Sequence, residues 1–219
     1  MNRFASFFKE HRNKIFATGF ASLGVLIYLL HYLMVEIMSN WSYFRGMRTP
    51  DMILAIFSFA FCLFVYMTIL VCNIRNDGAA YQGILMFVFY ITFGIVFDFF
   101  TGAIFATYNV IATGSTGLIL SYSSLLFSVG QVVVGILLYI YTTRYMQGFS
   151  VEWKKIRLFA ILFSVFVGLG WLYYLAITIS ASALAGSSEM LWLPFTAIAF
   201  SEVMIAISII FTLERLRRY

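Results

Sequence analysis

The chain has 219 residues, of which 63% are hydrophobic and only 11% are charged. Its mean hydropathy is +0.95, whereas soluble domains are roughly 45–50% apolar and about 25% charged. So few charges cannot screen so much apolar surface from water, which excludes a cytosolic enzyme, a disordered chain and a disulfide-stapled secreted module. The composition reads as an all-α, polytopic integral membrane protein whose partner is the lipid bilayer. A net charge of +5 would suggest nucleic acid in a soluble protein. Here the cations cluster at the ends of apolar runs, as membrane orientation requires, so no nucleic-acid partner is expected.

A spanning helix needs about 20 apolar residues, and six such runs follow one another. Residues 1–14 precede them, with Phe4, Phe7, Phe8, His11 and Ile15 near one helical face and Arg3, Lys9, Glu10 and Lys14 mostly elsewhere. That pattern predicts a short interfacial amphipathic helix. The first span, 15–38, is longer than the roughly 7–15-residue core of a signal peptide and reads as a retained helix containing His31. The second, 51–73, opens at Thr49-Pro50-Asp51, a cap, a first-turn proline and an acid at the positive helix end. Its two cysteines, Cys62 and Cys72, lie about 15 Å apart along a helix, too far for a mutual disulfide. The third span, 83–106, contains Asp98.

Between the third and fourth spans the segment 105–117 carries the turn signals Asn109, Gly114 and Gly117. It reads either as an outer loop resting on the bundle or as a re-entrant segment, which protein or a wet cavity would have to cover. The fourth span, 118–143, has a small and polar stripe of Ser121, Ser124, Ser128, Gln131 and Gly135. The fifth, 154–182, carries Ser164 and Gly168 together with Trp171, Tyr173 and Tyr174. The sixth, 193–213, carries Ala199, Glu202 and Ala206. Residues 214–219 are expected to form a basic cytoplasmic tail, which leaves 15–213 as a single six-helix domain.

Lys and Arg set the orientation. All of them except Arg45 and Arg48 fall before span one, between spans two and three, between four and five, or after six. The positive-inside rule then places both termini in the cytoplasm, in a multi-pass cell-membrane protein.

Interhelical surfaces favour Gly, Ala, Ser and Thr. Besides the stripe on span four, Ala55, Ser58 and Cys62 on span two, Tyr90, Gly94, Asp98 and Thr101 on span three, and Glu202 with its alanines on span six share faces at helical spacing. These stripes are expected to converge on a common interior. An acid at bilayer depth costs about 2.5–3.5 kcal/mol, so Asp98 and Glu202 are the candidate ligand- or proton-binding residues. His31 lies at a depth that permits contact with Asp98, and Gln131 is a further candidate contact. The bland alternative is that each acid accepts hydrogen bonds from neighbours and only specifies packing.

Several chemistries lack their residues. There is no GxSxG, HExxH or P-loop, no cysteine spacing for a metal, and no lysine inside a span for a Schiff base. Two histidines, His11 and His31, cannot supply the paired axial ligands of a multi-haem cytochrome. No cofactor or metal is expected, and no enzymatic activity. The fragments GVLIYLLHYL and GLGWLYYLAI in spans one and five hint at the inverted repeats common in transporters. The layout of a leader, FFKEHRNK, ahead of six spans resembles the permease subunit of a bacterial ATP-driven exporter in arrangement, without a specific motif. The expected function is therefore a membrane transport protein or transporter subunit, acting on a small molecule or ion through Asp98 and Glu202. The alternatives are a non-transporting assembly, sensor or regulatory subunit with a protein partner and, third, an intramembrane enzyme.

Overall fold

The computed structural model describes the backbone of residues 2–38, 49–75, 77–113, 118–184 and 192–217, with side chains at 11–31, 53, 56–75, 77–97, 128–173, 175–176, 179 and 196–217. Six long helices account for nearly all of it: α1 Asn2–Met38, α2 Thr49–Arg75, α3 Ala80–Thr113, α4 Leu118–Met146, α5 Trp153–Leu184 and α6 Trp192–Leu216. Among the described residues five helices contain stretches long and apolar enough to cross a membrane: His11–His31, Ile56–Arg75, Ala80–Phe97, Trp153–Tyr173 and Thr196–Leu216. The chain is an all-α, multi-pass membrane protein with five to six long apolar helices.

Local chemistry explains where the helices begin and end. α2 opens at Thr49 with Pro50 in its first turn, where a missing N–H is harmless. Ahead of α3, the Asp77 carboxylate accepts a hydrogen bond from the Ala79 N–H at 3.0 Å, meeting one of the orphan donors of the helix start. α4 closes at Gly148, whose φ of 81° lies in the left-handed region that suits glycine. The Gly148 N–H donates to Tyr145 O at 3.1 Å and the Phe149 N–H to Arg144 O at 3.1 Å, the paired bonds of a Schellman cap.

Three boundaries differ from expectation. The leader is not set off from the first span: α1 runs unbroken from Asn2, since no glycine or proline interrupts it before Gly19. Residues 105–113, expected as loop or re-entrant segment, are helical. Asn109 alone does not stop a helix, and α3 extends to Thr113, about 51 Å in all. Residues 114–117 lie outside the described set. The tail is also shorter than expected, because α6 continues through Leu216 and buries Arg215 to 5% exposure.

The helices form a closed ring in chain order. Each packs on its sequence neighbour, and α1 meets α6 in the most extensive interface of all. Consecutive helices are antiparallel: Phe61 meets Tyr90 and Tyr66 meets Phe87 across α2–α3, while Tyr141 meets Phe159 across α4–α5. Phe16 and Phe20 pack on Phe211, with Gly24 further along facing Ile205 and Ser201, so α1 and α6 are antiparallel too. Both chain ends and the turns at 76–79 and 147–152 therefore share one end of the bundle.

The core is a stack of side chains including Tyr28, Tyr66, Ile69, Phe87, Leu138, Phe163, Ile205 and Ile209, each at most 2% exposed. Outward faces carry large apolar groups instead, among them Phe57, Phe64, Phe93, Ile136 and Leu172. A soluble monomer rarely exposes so large a contiguous apolar surface; acyl chains cover it here. α6 is the most enclosed of the spans among the described residues.

Candidate functional site

On α2, residues 58, 62 and 66 follow one another at intervals of four along one face; Cys62 and Tyr66 look into the ring, while Ser58 is exposed. Cys62 and Tyr66 are buried at 3% and 1% exposure. The Cys62 thiol lies near the hydroxyls of Tyr90 of α3, Tyr28 of α1 and Ser58. Tyr28 Oη donates to the Phe59 carbonyl at 3.4 Å, and its ring lies 5.1 Å from that of Tyr66. Ser201 of α6 donates its only hydroxyl proton to Ile198 O at 2.6 Å. Tyr66 Oη, 3.4 Å from Ser201 Oγ, must therefore be the donor in that pair.

Glu202 is the charged member of this cluster. It is half-buried in α6, beside the fully buried Ser201, and within electrostatic range of Tyr66, Cys62 and Tyr90. Four helices thus bring three tyrosines, a thiol, serine hydroxyls and one carboxyl group to one region of the bundle. Within it Glu202 lies about 6 Å from the midpoint of the Thr196–Leu216 span, toward Trp192.

The stripes on spans two, three and six do meet, through Ser58, Cys62, Tyr90 and Glu202. Tyr28, Tyr66 and Ser201 complete the cluster without having been singled out by the sequence. Tyr66 stands one turn beyond Cys62 and Ser201 directly precedes Glu202, so helical spacing alone held the signal. His31 is buried at 7% on the α1 face that also presents Tyr28, one turn nearer the 39–48 end. The side chain of Asp98 lies outside the described residues, and with it any contact to His31.

Gln131 goes elsewhere. It is 9% exposed, and its Oε1 lies 3.7 Å from where a Cβ on Gly170 would stand, which places it between α4 and α5. Other members of the small-residue stripes serve close packing. Gly135 approaches the Thr92 side chain, and Gly130 the Phe166 ring. Ser164 Oγ lies 2.9 Å from both Ala160 O and Ala206 O. Trp171 packs on Phe200 at 4.9 Å between ring centres. An apolar groove of about 220 Å³ between α3 and α4, floored by Thr92 and Gly135 and walled by Phe89, Phe93 and Ile136, opens on the lipid-facing side rather than on the cluster.

A second polar set ties α6 to α2 at the end that holds the chain termini. Asn73 Nδ2 donates to Thr212 Oγ1 at 2.9 Å while Thr212 donates to Ser208 O at 2.8 Å. Arg215 Nη1 donates to the Cys72 and Asn73 carbonyls at 3.3 and 3.4 Å, and Nη2 to Asp77 O at 3.4 Å. Arg157 Nε pairs with Glu214 Oε1 at 2.9 Å, fastening α5 to the same corner. A guanidinium at the last carbonyls of α2 meets both their unmet acceptors and the negative end of the helix dipole.

Chemically, the described residues here bring hydroxyl and thiol groups near the Glu202 carboxyl group. An intramembrane carboxyl group can exchange a proton or balance a cation. Among the described residues no three His, Cys, Asp or Glu side chains gather as a metal site. Comparison with protein-family models, curated proteins and solved structures finds no match for this chain.

Proposed function

We propose that the chain is a membrane transport protein, or the membrane-embedded subunit of one, and not an enzyme, with Glu202 as the interior acid that takes up a proton or cation. The observation that carries this reading is the meeting of α1, α2, α3 and α6 around Glu202. A carboxyl group costly to insert lies half-buried at this meeting of helices. Asp98 and His31 are proposed as the next stations toward the 39–48 end, since intramembrane acids and histidines commonly mark ion pathways.

Proton uptake by the purified protein in liposomes containing a trapped pH-sensitive dye tests the proposal. Wild-type protein is expected to move protons under an imposed gradient, and Glu202→Gln, which keeps size and hydrogen bonding but removes the charge, to abolish the flux while protein yield holds. Equal flux from both proteins defeats the assignment of Glu202. Absence of wild-type flux under proton, sodium and potassium gradients defeats autonomous ion transport.

The proposed orientation places both termini and the basic turns in the cytoplasm. A cysteine introduced by Ser188→Cys is then expected to react with a membrane-impermeant maleimide added outside intact cells. Labelling only after permeabilisation reverses the orientation.

A further inference from the structure

The turn between α4 and α5 combines features that neither the interior cluster nor helix packing uses. Two cations, Arg144 on the last turn of α4 and Lys154 on the first turn of α5, are exposed. The neighbouring cations are engaged: Lys155 with Glu152 at 3.6 Å and Arg157 with Glu214 at 2.9 Å. Between Arg144 and Lys154 the turn presents Phe149 at 62% and Met146 at 43% exposure. Behind them Tyr145 and Trp153 pack at 5.4 Å, and Tyr81 at 6.1 Å from Tyr145. The Schellman cap at Gly148 holds the turn in shape.

Exposed apolar side chains flanked by cations, over a belt of Trp and Tyr at a span end, are what a bilayer boundary selects. The aromatic ring enters the acyl margin while the cations remain among phosphates. A soluble anion would use the cations but leave Phe149 and Met146 in water. We infer that the α4–α5 turn is a docking site for anionic phospholipid headgroups, with Arg144 and Lys154 binding the phosphate and Phe149 seated at the acyl boundary. The charge complementarity is local to this turn, and its chemistry is that of a phosphodiester attached to a lipid.

The test titrates detergent-solubilised full-length protein with phosphatidylglycerol or phosphatidylcholine and counts bound lipid by native mass spectrometry. Wild-type protein is expected to retain phosphatidylglycerol preferentially. The double variant Arg144→Gln/Lys154→Gln, both positions exposed and remote from the core, is expected to weaken that binding about 10- to 30-fold, the worth of two surface cations at a membrane. A control double variant at the same end of the bundle, Arg12→Gln/Arg75→Gln, removes equal charge and is expected to leave the preference intact. Excess inorganic phosphate is expected not to displace the lipid. Equal retention of the two lipids, equal losses in the two double variants, or displacement by inorganic phosphate would each overturn the assignment.

Discussion

Replacing Gly24 by valine is expected to destabilise the protein by about 3 kcal/mol, the upper end of what overpacking a dense interior costs. A Cβ at this position would stand 2.9 Å from Ile205 Cδ1 and Cγ1 and 3.1 Å from the Ser201 carbonyl oxygen. Ile205 is fully buried and has nowhere to retreat, and the carbonyl belongs to the backbone of α6. In lipid the apolar effect does little to hold helices together, so van der Waals contact between closely approaching backbones carries much of the association. Forcing α1 away from α6 opens the largest interface in the ring. Thermal unfolding in detergent micelles, followed by circular dichroism, should show the loss. Gly19, on the same helix, has open space where its Cβ would be. Gly19→Ala is therefore expected to raise stability by up to about 1 kcal/mol through helix propensity. In a double-mutant cycle, Gly24→Val and Ile205→Ala should couple by about 1 kcal/mol or more, as residues in contact do. Additive behaviour would show that the two side chains do not share the space.

Arg215→Met is expected to cost about 2–3 kcal/mol and to loosen the last turn of α2. The substitution leaves the Asn73 carbonyl without the guanidinium donor that reaches it, whereas Cys72 O still accepts from the Asp77 N–H at 2.9 Å and Asp77 O from the Ala80 N–H at 3.3 Å. Orphaned buried acceptors cost about 1–3 kcal/mol each. Arg215→Lys restores the charge at the helix end but not the fork that reaches several carbonyls at once, so it should recover less than half of the loss. Amide hydrogen exchange supplies the second readout, with faster exchange confined to the C-terminal turn of α2. A uniform change across all helices would instead mean that Arg215 acts only on global stability.

The interior cluster shows how far helical spacing reaches. Cys62, Tyr90 and Glu202 were legible as inward-facing because a polar or small residue on an apolar helix has few reasons to face lipid, whereas Ser58 on the same stripe is exposed. Gln131 was equally legible as inward-facing, yet it packs against α5 beside Gly170 and not against the carboxyl cluster. The same signal marks a residue that avoids lipid and says nothing about which neighbour it meets.

The apolar runs and their breaks determined the class of fold and most limits of the long apolar helices among the described residues, because each depends only on residues within a few turns of one another. Tertiary structure alone decided that the ring closes through α1 and α6, that Tyr28 and Tyr66 meet in the interior, and that Arg215 donates to the carbonyls at the end of α2. Those features join residues more than thirty positions apart, and their partners are chosen by the shapes of whole helix faces packing together, which no local period encodes.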